Sequence, residues 1–461
     1  MKTTPTGPAA GCCRQIPWLR FAALFALIAA GGAPLPGAAP ATTEEQLLQL
    51  AEENRQLRAI LLEQRSELSE LRRMVESLAA GHSRDSTAAT EPANSFPPEP
   101  MAQADEPSPR RNGDRDIIVG GQAGVAFFAG GSDSQFPNNE LRVDEAILTV
   151  EAQAARNAFF FSELYLTRRE AYDDTFHLGE LYVDLESVSS LWGHDGLLSL
   201  RLGRFDSPFG EEYLHRDPIA NPLVTHSLAD IWGTDEGIEV YGGAGRWDYV
   251  FAVQNGSQEL LHDYNEDKAL IARVGFNPAP RTRVSVSAMR TGDLDVVNEP
   301  LSEIWIGNNV FRSIGSDETT THHAELAQID ARQGWSNGHI LGAYGKAWYG
   351  DDDPLGDNSR DFTFYHIEAM QAFSRTFYGA ARFSRIEAGK GYPLVGLGDF
   401  GKYFFSPLLT RELWRLGLGV GWHVSDNLLL KTEYTFEEGR LSNGARRGNS
   451  NQFSAEAALR F

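Results

Sequence analysis

The stretch from Arg204 to Gly242, RFDSPFGEEYLHRDPIANPLVTHSLADIWGTDEGIEVYG, gathers more potential chemistry than any other part of the chain. Carboxylates at Asp206, Glu211, Glu212 and Asp217 stand within a dozen residues of guanidiniums at Arg204 and Arg216. Set around a narrow aqueous path, such groups create a transverse field that sorts ions by charge. Phe209, Tyr213, Trp232 and several prolines stiffen the same stretch, as expected of an ordered and functional long loop. Catalytic readings are weaker. His226 and Ser227 are sequence neighbours, not a base positioned against a nucleophile. His322 and His323 would point to opposite faces of a strand, and the triplet Asp351, Asp352, Asp353 suits a solvated loop or a loose cation contact. The sequence therefore assigns no catalytic residue, no metal site and no cofactor.

A long loop of this kind needs a frame, and the frame is alternation. In RLGLGVGWHVSDNLLLKTEYTFE, Leu416, Leu418, Val420, Trp422 and Val424 share one face, against Arg415, three glycines and His423 on the other. After Ser425-Asp426-Asn427 the period resumes with Leu428, Leu430, Thr432, Tyr434 and Phe436 against Lys431, Glu433 and Glu437. Period two over 9 to 11 residues fits a tilted strand that spans a bilayer. The same reading predicts about sixteen strands: 117–129, 140–153, 158–168, 176–187, 197–205, 236–244, 246–255, 267–277, 281–291, 322–333, 336–349, 361–373, 375–387, 410–424, 428–438 and 451–461. Even-numbered connections are mostly short and odd-numbered ones mostly long, the asymmetry of outer-membrane barrels. Parity turns Arg201, Arg273, Arg415, Lys431 and Glu433 toward the inside of such a barrel, where sixteen strands leave room for water.

Mean hydropathy is −0.33, and no apolar run of about 18 residues follows the amino end, which removes a helical membrane span. Alternating strands are not removed by that test. The final segment NQFSAEAALRF puts Phe453, Ala455, Ala457, Leu459 and Phe461 on one face. A terminal ring is rewarded by lipid, not by water.

The amino end carries Arg14 and Arg20, an apolar core from Phe21 to Ala30 and the small-residue region GGAPLPGAAPA. This is the pattern of a secretory signal over 1–41, which would remove Cys12 and Cys13 and leave a chain without thiols. From Leu47 to Leu78 ten positions keep one heptad register, with g-to-e pairs Glu53/Arg58 and Glu67/Arg72. A coiled coil over 43–80 is expected, joining a homo-oligomer, most simply a trimer; a single amphipathic helix on the barrel is the alternative. Residues 81–115, rich in Ser, Ala, Pro and acids, read as a disordered tether. The net charge of −22 argues against nucleic acid, and 29 basic against 49 acidic residues from Asp116 onward put the excess in the barrel, 116–461.

At Gly203-Arg204-Phe205 and Pro208-Phe209-Gly210 the chain resembles the porins, and more closely the phosphate-selective porin superfamily. The coil-plus-barrel layout is also similar to that of a siderophore-uptake porin family. The resemblance implies an all-β, 16-stranded antiparallel transmembrane barrel in the Gram-negative outer membrane, with the coil in the periplasm. It also implies that Asp206 to Asp235 folds into the lumen as a constriction, the alternative being an outer loop packed on its neighbours. Implied partners are outer-membrane lipids, small solutes or ions, and the barrel-assembly machinery, for which Phe461 resembles the carboxy-terminal signal. Phosphate-selective relatives use a basic pore, whereas this barrel is acidic. A weakly cation-preferring channel is the expectation, with an anion (phosphate) or siderophore channel, and a surface adhesin, as alternatives.

Overall fold

The computed structural model describes residues 117–461 apart from 135, 168–175, 258–262, 307–308, 313–317, 355, 357 and 393–408. The signal, coil and tether expected over 1–115 lie outside the described residues.

Sixteen strands among the described residues build the wall: β1 Ile117–Gly130, β2 Glu140–Ala155, β3 Ala158–Tyr165, β4 His177–Leu185, β5 Ser199–Asp206, β6 Thr234–Ala244, β7 Trp247–Gln254 and β8 Ala269–Ala279, then β9 Thr282–Arg290, β10 Thr321–Trp335, β11 Gly338–Asp351, β12 Arg360–Ala372, β13 Phe377–Tyr392, β14 Thr410–Ser425, β15 Leu428–Leu441 and β16 Gln452–Arg460. Each pairs antiparallel with its sequence neighbour. β16 returns to β1 in the register Gln122↔Arg460 to Gly130↔Gln452, so the sheet closes and has no free edge. Phe461 completes the seam: its N–H donates to the Gly121 carbonyl at 3.0 Å and its carbonyl accepts from Gly121 at 3.1 Å.

The alternation that marks the strands is imposed by two different surroundings. Outward residues such as Val125, Val183, Ile238, Val274, Val286 and Val420 are exposed aliphatics, as hydrocarbon requires of a barrel's outer face. Trp247, Trp335, Phe373, Phe377 and Trp422 ring the short-turn end and stay exposed, the place of an interfacial aromatic girdle. Turns at that end are tight, for example 156–157, 245–246 and 280–281, the exception being 186–198 with its 3-10 turn Val188–Trp192. The opposite end carries the long connections, including 207–233 and 291–320.

The inside differs from an evenly solvated lumen. At the long-connection end the inward side chains of β8 to β14 are apolar: Ile271, Met289, Leu326, Phe364, Ile386 and Leu413 are buried together. They are covered by Phe209, Leu228 and Ile231 from the connection 207–233 and by Ile304, Ile306 and Phe311 from the connection 291–320. Ile231–Trp232, Leu301–Ile306 and Asn309–Arg312 pair as a small second sheet, with Trp232 stacked on Trp305 at 5.4 Å. Apolar residues facing inward here remove surface from water at roughly 25 cal/mol per Å². Two inturned segments, not one, fill that part of the barrel.

Candidate functional site: a loop folded into the barrel

The connection 207–233 leaves β5 through Pro208-Phe209-Gly210. Gly210 has φ +68°, a left-handed backbone that side chains resist. Its N–H donates to Ser287 Oγ at 3.0 Å and its carbonyl accepts from Arg273 Nη1 at 2.6 Å. The turn is thus fixed on the inner faces of β8 and β9, and the chain that follows crosses the interior.

The far side of the loop is gripped by β13 to β15. Lys431 Nζ donates to the carbonyls of Pro218 (2.7 Å), Asn221 (3.2 Å) and Leu223 (2.9 Å), and pairs with Glu456 at 2.7 Å. Two residues on, Glu433 accepts from Val224 N (2.9 Å), Thr225 N (2.7 Å) and Thr225 Oγ1 (2.9 Å). An ammonium collecting carbonyls beside a carboxylate collecting N–H groups holds a stretch of irregular backbone from both polarities, satisfying groups that burial would otherwise penalise. Arg382 donates to Thr225 O (2.5 Å) and Asn221 Oδ1 (2.8 Å), Arg415 to His226 O (3.2 Å), and Tyr378 to Pro222 O (2.9 Å). Between these clamps the glycines of β14 leave the space a side chain would take: a Cβ at Gly417 would meet the Glu433 carboxylate, one at Gly419 Leu223, and one at Gly421 the Tyr378 ring.

The residues singled out by sequence fall into distinct settings. Arg273, Arg415, Lys431 and Glu433 face inward and are engaged by the loop, Arg273 also taking Tyr213 Oη at 3.1 Å. Glu211 accepts from Arg283 Nε at 2.5 Å, and Glu212 from Ser227 N (3.0 Å) and Ser227 Oγ (2.6 Å). Both acids therefore serve the packing of the loop. Arg216 donates to Asp230 at 2.9 Å and lies 4.0 Å from the Trp232 ring centroid. Arg204 is buried and ties Gly179 O (3.1 Å) and Glu236 (3.2 Å) to Glu303 (3.3 Å) of the second inturned segment. Arg201 pairs with Asp184 (3.0 Å) and Glu239 (3.3 Å) above the Tyr182 ring. Asp206 accepts from Thr234 Oγ1 at 2.7 Å. Asp217 is exposed at the edge of the loop.

A second group was not singled out in the sequence. Inward residues of β10 to β16 are buried under the loop, whereas Glu163, Tyr165, Glu180, Tyr182 and Arg201 on β3 to β5 remain partly accessible. Glu163 lies within electrostatic reach of Glu180, Asp206 and Asp217, so carboxylates from three strands and the loop edge converge on the accessible side. Glu163 and Glu180 carry the same inward parity signal as Arg201; what hid them was the lack of any reason to prefer one side of the lumen. The other chemical candidates are accounted for locally. Ser227 Oγ is engaged by Glu212 and accepts from Ala229 N. His322 is buried and His323 pairs outside with Asp293 at 3.1 Å. Asp352 takes donors from Thr320 and Thr321, which pull its pKa down to about 2. Among the described residues no group of three His or carboxylate side chains is arranged to hold a metal.

Solved structures share this architecture. In-vitro folded OmpT, an outer membrane protein of Vibrio cholerae, is similar with TM-score 0.51 at 9% identity, over 76% of this chain and 98% of that one. Its loop L8 deletion mutant gives 0.50 at 10% identity, over 75% and 99%. The outer membrane channel DcaP of Acinetobacter baumannii gives 0.46 at 11%, over 76% and 99%. The first two likenesses show the barrel fold alone. No protein-family model and no curated protein matches the chain.

Proposed function

We propose that the chain is an outer-membrane porin, not an enzyme, which passes small hydrophilic solutes and ions beside the loop 207–233 and weakly prefers cations. The single observation that carries this is the division of the barrel interior. The wall's cations Arg273, Arg382, Arg415 and Lys431 are spent on the loop, and the partly accessible side carries Glu163, Glu180, Asp206 and Asp217 beside Arg201, which is itself paired with Asp184 and Glu239. A surplus of carboxylates along a narrow aqueous path concentrates cations and repels anions. A phosphate channel would need unpaired accessible cations, whereas these four are engaged by the loop and Arg201 on the accessible side is held between Asp184 and Glu239. In planar bilayers the purified protein is expected to give stepwise, ohmic conductance; a folded protein that never conducts would contradict the reading.

The chain acts in this account as an oligomer held partly by the coil 43–80, read from the mass of the detergent complex with and without that segment. Phe461 serves assembly, since its exposed ring stands at the seam and far from the solute path. Phe461→Ala is expected to lower the amount of folded protein in the outer membrane several-fold while the surviving channels keep native conductance. Normal levels with altered conductance would oppose that role.

A further inference from the structure

The clamps of β13 to β15 hold residues 218–226 of the loop, and its return stretch is held by something else. Ile231 and Trp232 pair with the segment Leu301–Ile306 in the register Trp305↔Trp232 and Ile306↔Ile231. The two backbones then close so tightly that a Cβ at Gly233 would stand 2.6 Å from the Glu303 carbonyl oxygen and 3.1 Å from Ile304 Cδ1. Any side chain there would force them apart. Ser207 N donates to the Gly233 carbonyl at 2.6 Å, so the segment meets the loop where the loop's two ends come together. The segment is in turn anchored to the wall. Glu303 Oε1 accepts from Arg204 Nη2 at 3.3 Å, Glu303 N donates to the Gly256 carbonyl at 3.2 Å, and Ser302 forms an antiparallel bridge with Ser257.

We propose that Leu301–Ile306 is the backing of the constriction: Trp305 and Glu303 are positioning residues that hold the loop edge at Arg216 and Asp217 against the path, and so set the largest solute that passes. The inference rests on the reading of the chain as a porin with 207–233 as its constriction.

Trp232 carries the contact from the segment to the path. Its ring is stacked on Trp305 with centroids 5.4 Å apart and planes 9° from parallel, and the Arg216 guanidinium carbon lies 4.0 Å from the same centroid. Trp232 Nε1 is buried and makes no hydrogen bond, so packing on Trp305, not a polar tie, sets where this ring stands. Arg216, also bonded to Asp230, lies within electrostatic reach of Tyr165 and Asp206 on the accessible side. Asp217 beside it is exposed. Behind the stack Ile304 and Ile306 are buried in the apolar core with the wall residues Ile271, Leu326 and Ile386. Interiors packed to this degree have low compressibility and transmit displacement. An irregular loop with water on one side yields to a solute pressing on it unless a stiff layer stands behind, and the segment is that layer.

Channel conductance in the presence of uncharged poly(ethylene glycol) of graded mass reads the size limit, since polymers that enter the path lower the current and excluded ones do not. Trp305→Leu and Glu303→Met are each expected to raise the excluded mass about twofold, the limit being set by the radius at the constriction. In Glu303→Met, Arg204 keeps Glu236 and the Gly179 carbonyl, so no buried charge is stranded. Two controls separate positioning from general softening. Ile386→Ala, on the wall side of the same core, is expected to lower stability in urea and keep the native limit. Ser257→Cys with Ser302→Cys, in a chain whose own cysteines are Cys12 and Cys13, cross-links the segment to the wall, antiparallel partners standing within disulfide reach. Oxidation is expected to return Glu303→Met to the native limit, and reduction to release it. A native limit in either Trp305→Leu or Glu303→Met, an equal shift in Ile386→Ala, or a shift in Glu303→Met that the cross-link leaves in place would each overturn the backing role. A folded native protein that never conducts would instead refute the porin reading.

Discussion

Replacing Lys431 by methionine is expected to free the loop from the wall and to destabilise the barrel by about 3–5 kcal/mol, the usual cost of removing one partner from a buried ion pair. The ammonium is buried with Glu456 and is the shared donor for three loop carbonyls. Methionine fills similar volume, so the loss is electrostatic rather than a cavity. Glu456 would remain uncompensated, and Lys431→Met combined with Glu456→Gln should recover part of the stability. Urea unfolding of the detergent-solubilised barrel reads the energy. Single-channel recording reads the loop, and a larger, noisier conductance is expected in the variant. Native stability and native conductance together would show that the loop does not depend on this clamp.

At alkaline pH, where both carboxyls are ionised, neutralising Glu163 and Glu180 together to glutamine is expected to lower the cation-to-anion permeability ratio several-fold for each charge, since a carboxylate some 7 Å away in water shifts cation and anion by about RT in opposite directions. Both stand on the accessible side, and Glu180 Oε1 accepts from Asp206 N at 2.8 Å, a contact that glutamine can keep. The change should be large at about 0.1 M salt, where the screening length is about 10 Å, and small at 1 M. Glu211→Gln is expected to act differently. Its partner Arg283 also holds Asp248 at 2.6 Å, so the loss falls on loop packing and channel noise, with little change in selectivity.

The frame was legible because lipid enforces it. Every strand from β1 to β16 coincides with a predicted segment, with ends moved by a few residues, since a residue facing hydrocarbon has few alternatives and so prints a period of two. The interior was only half legible. Parity turned Arg273, Arg415, Lys431 and Glu433 inward, but inward is ambiguous between a wet lumen and a packed one. Two signals separate these cases. Phe362 and Phe364 stand on the inward parity of β12, where a wet lumen would call for polar side chains, so that end of the strand is marked as covered from inside. Gly417, Gly419 and Gly421 form a row of missing side chains where Glu433, Leu223 and Tyr378 fit. The directions of Glu211 and Glu212 could not be read, because an irregular loop has no period; their partners Arg283 and Ser227 set them. The second inturned segment 291–312 carries no apolar run longer than Ile304-Trp305-Ile306, too brief to tell an inturned connection from an outer one.

The central claim is a channel whose accessible side is acidic, and the reversal potential of the native protein in a planar bilayer under a tenfold KCl gradient tests it most directly. A potential of the sign set by K⁺ moving ahead of Cl⁻ is expected at about 0.1 M, shrinking toward zero as salt approaches 1 M. A strong potential of the opposite sign would mean that Arg201, Arg216 and their neighbours govern the path, and would contradict it.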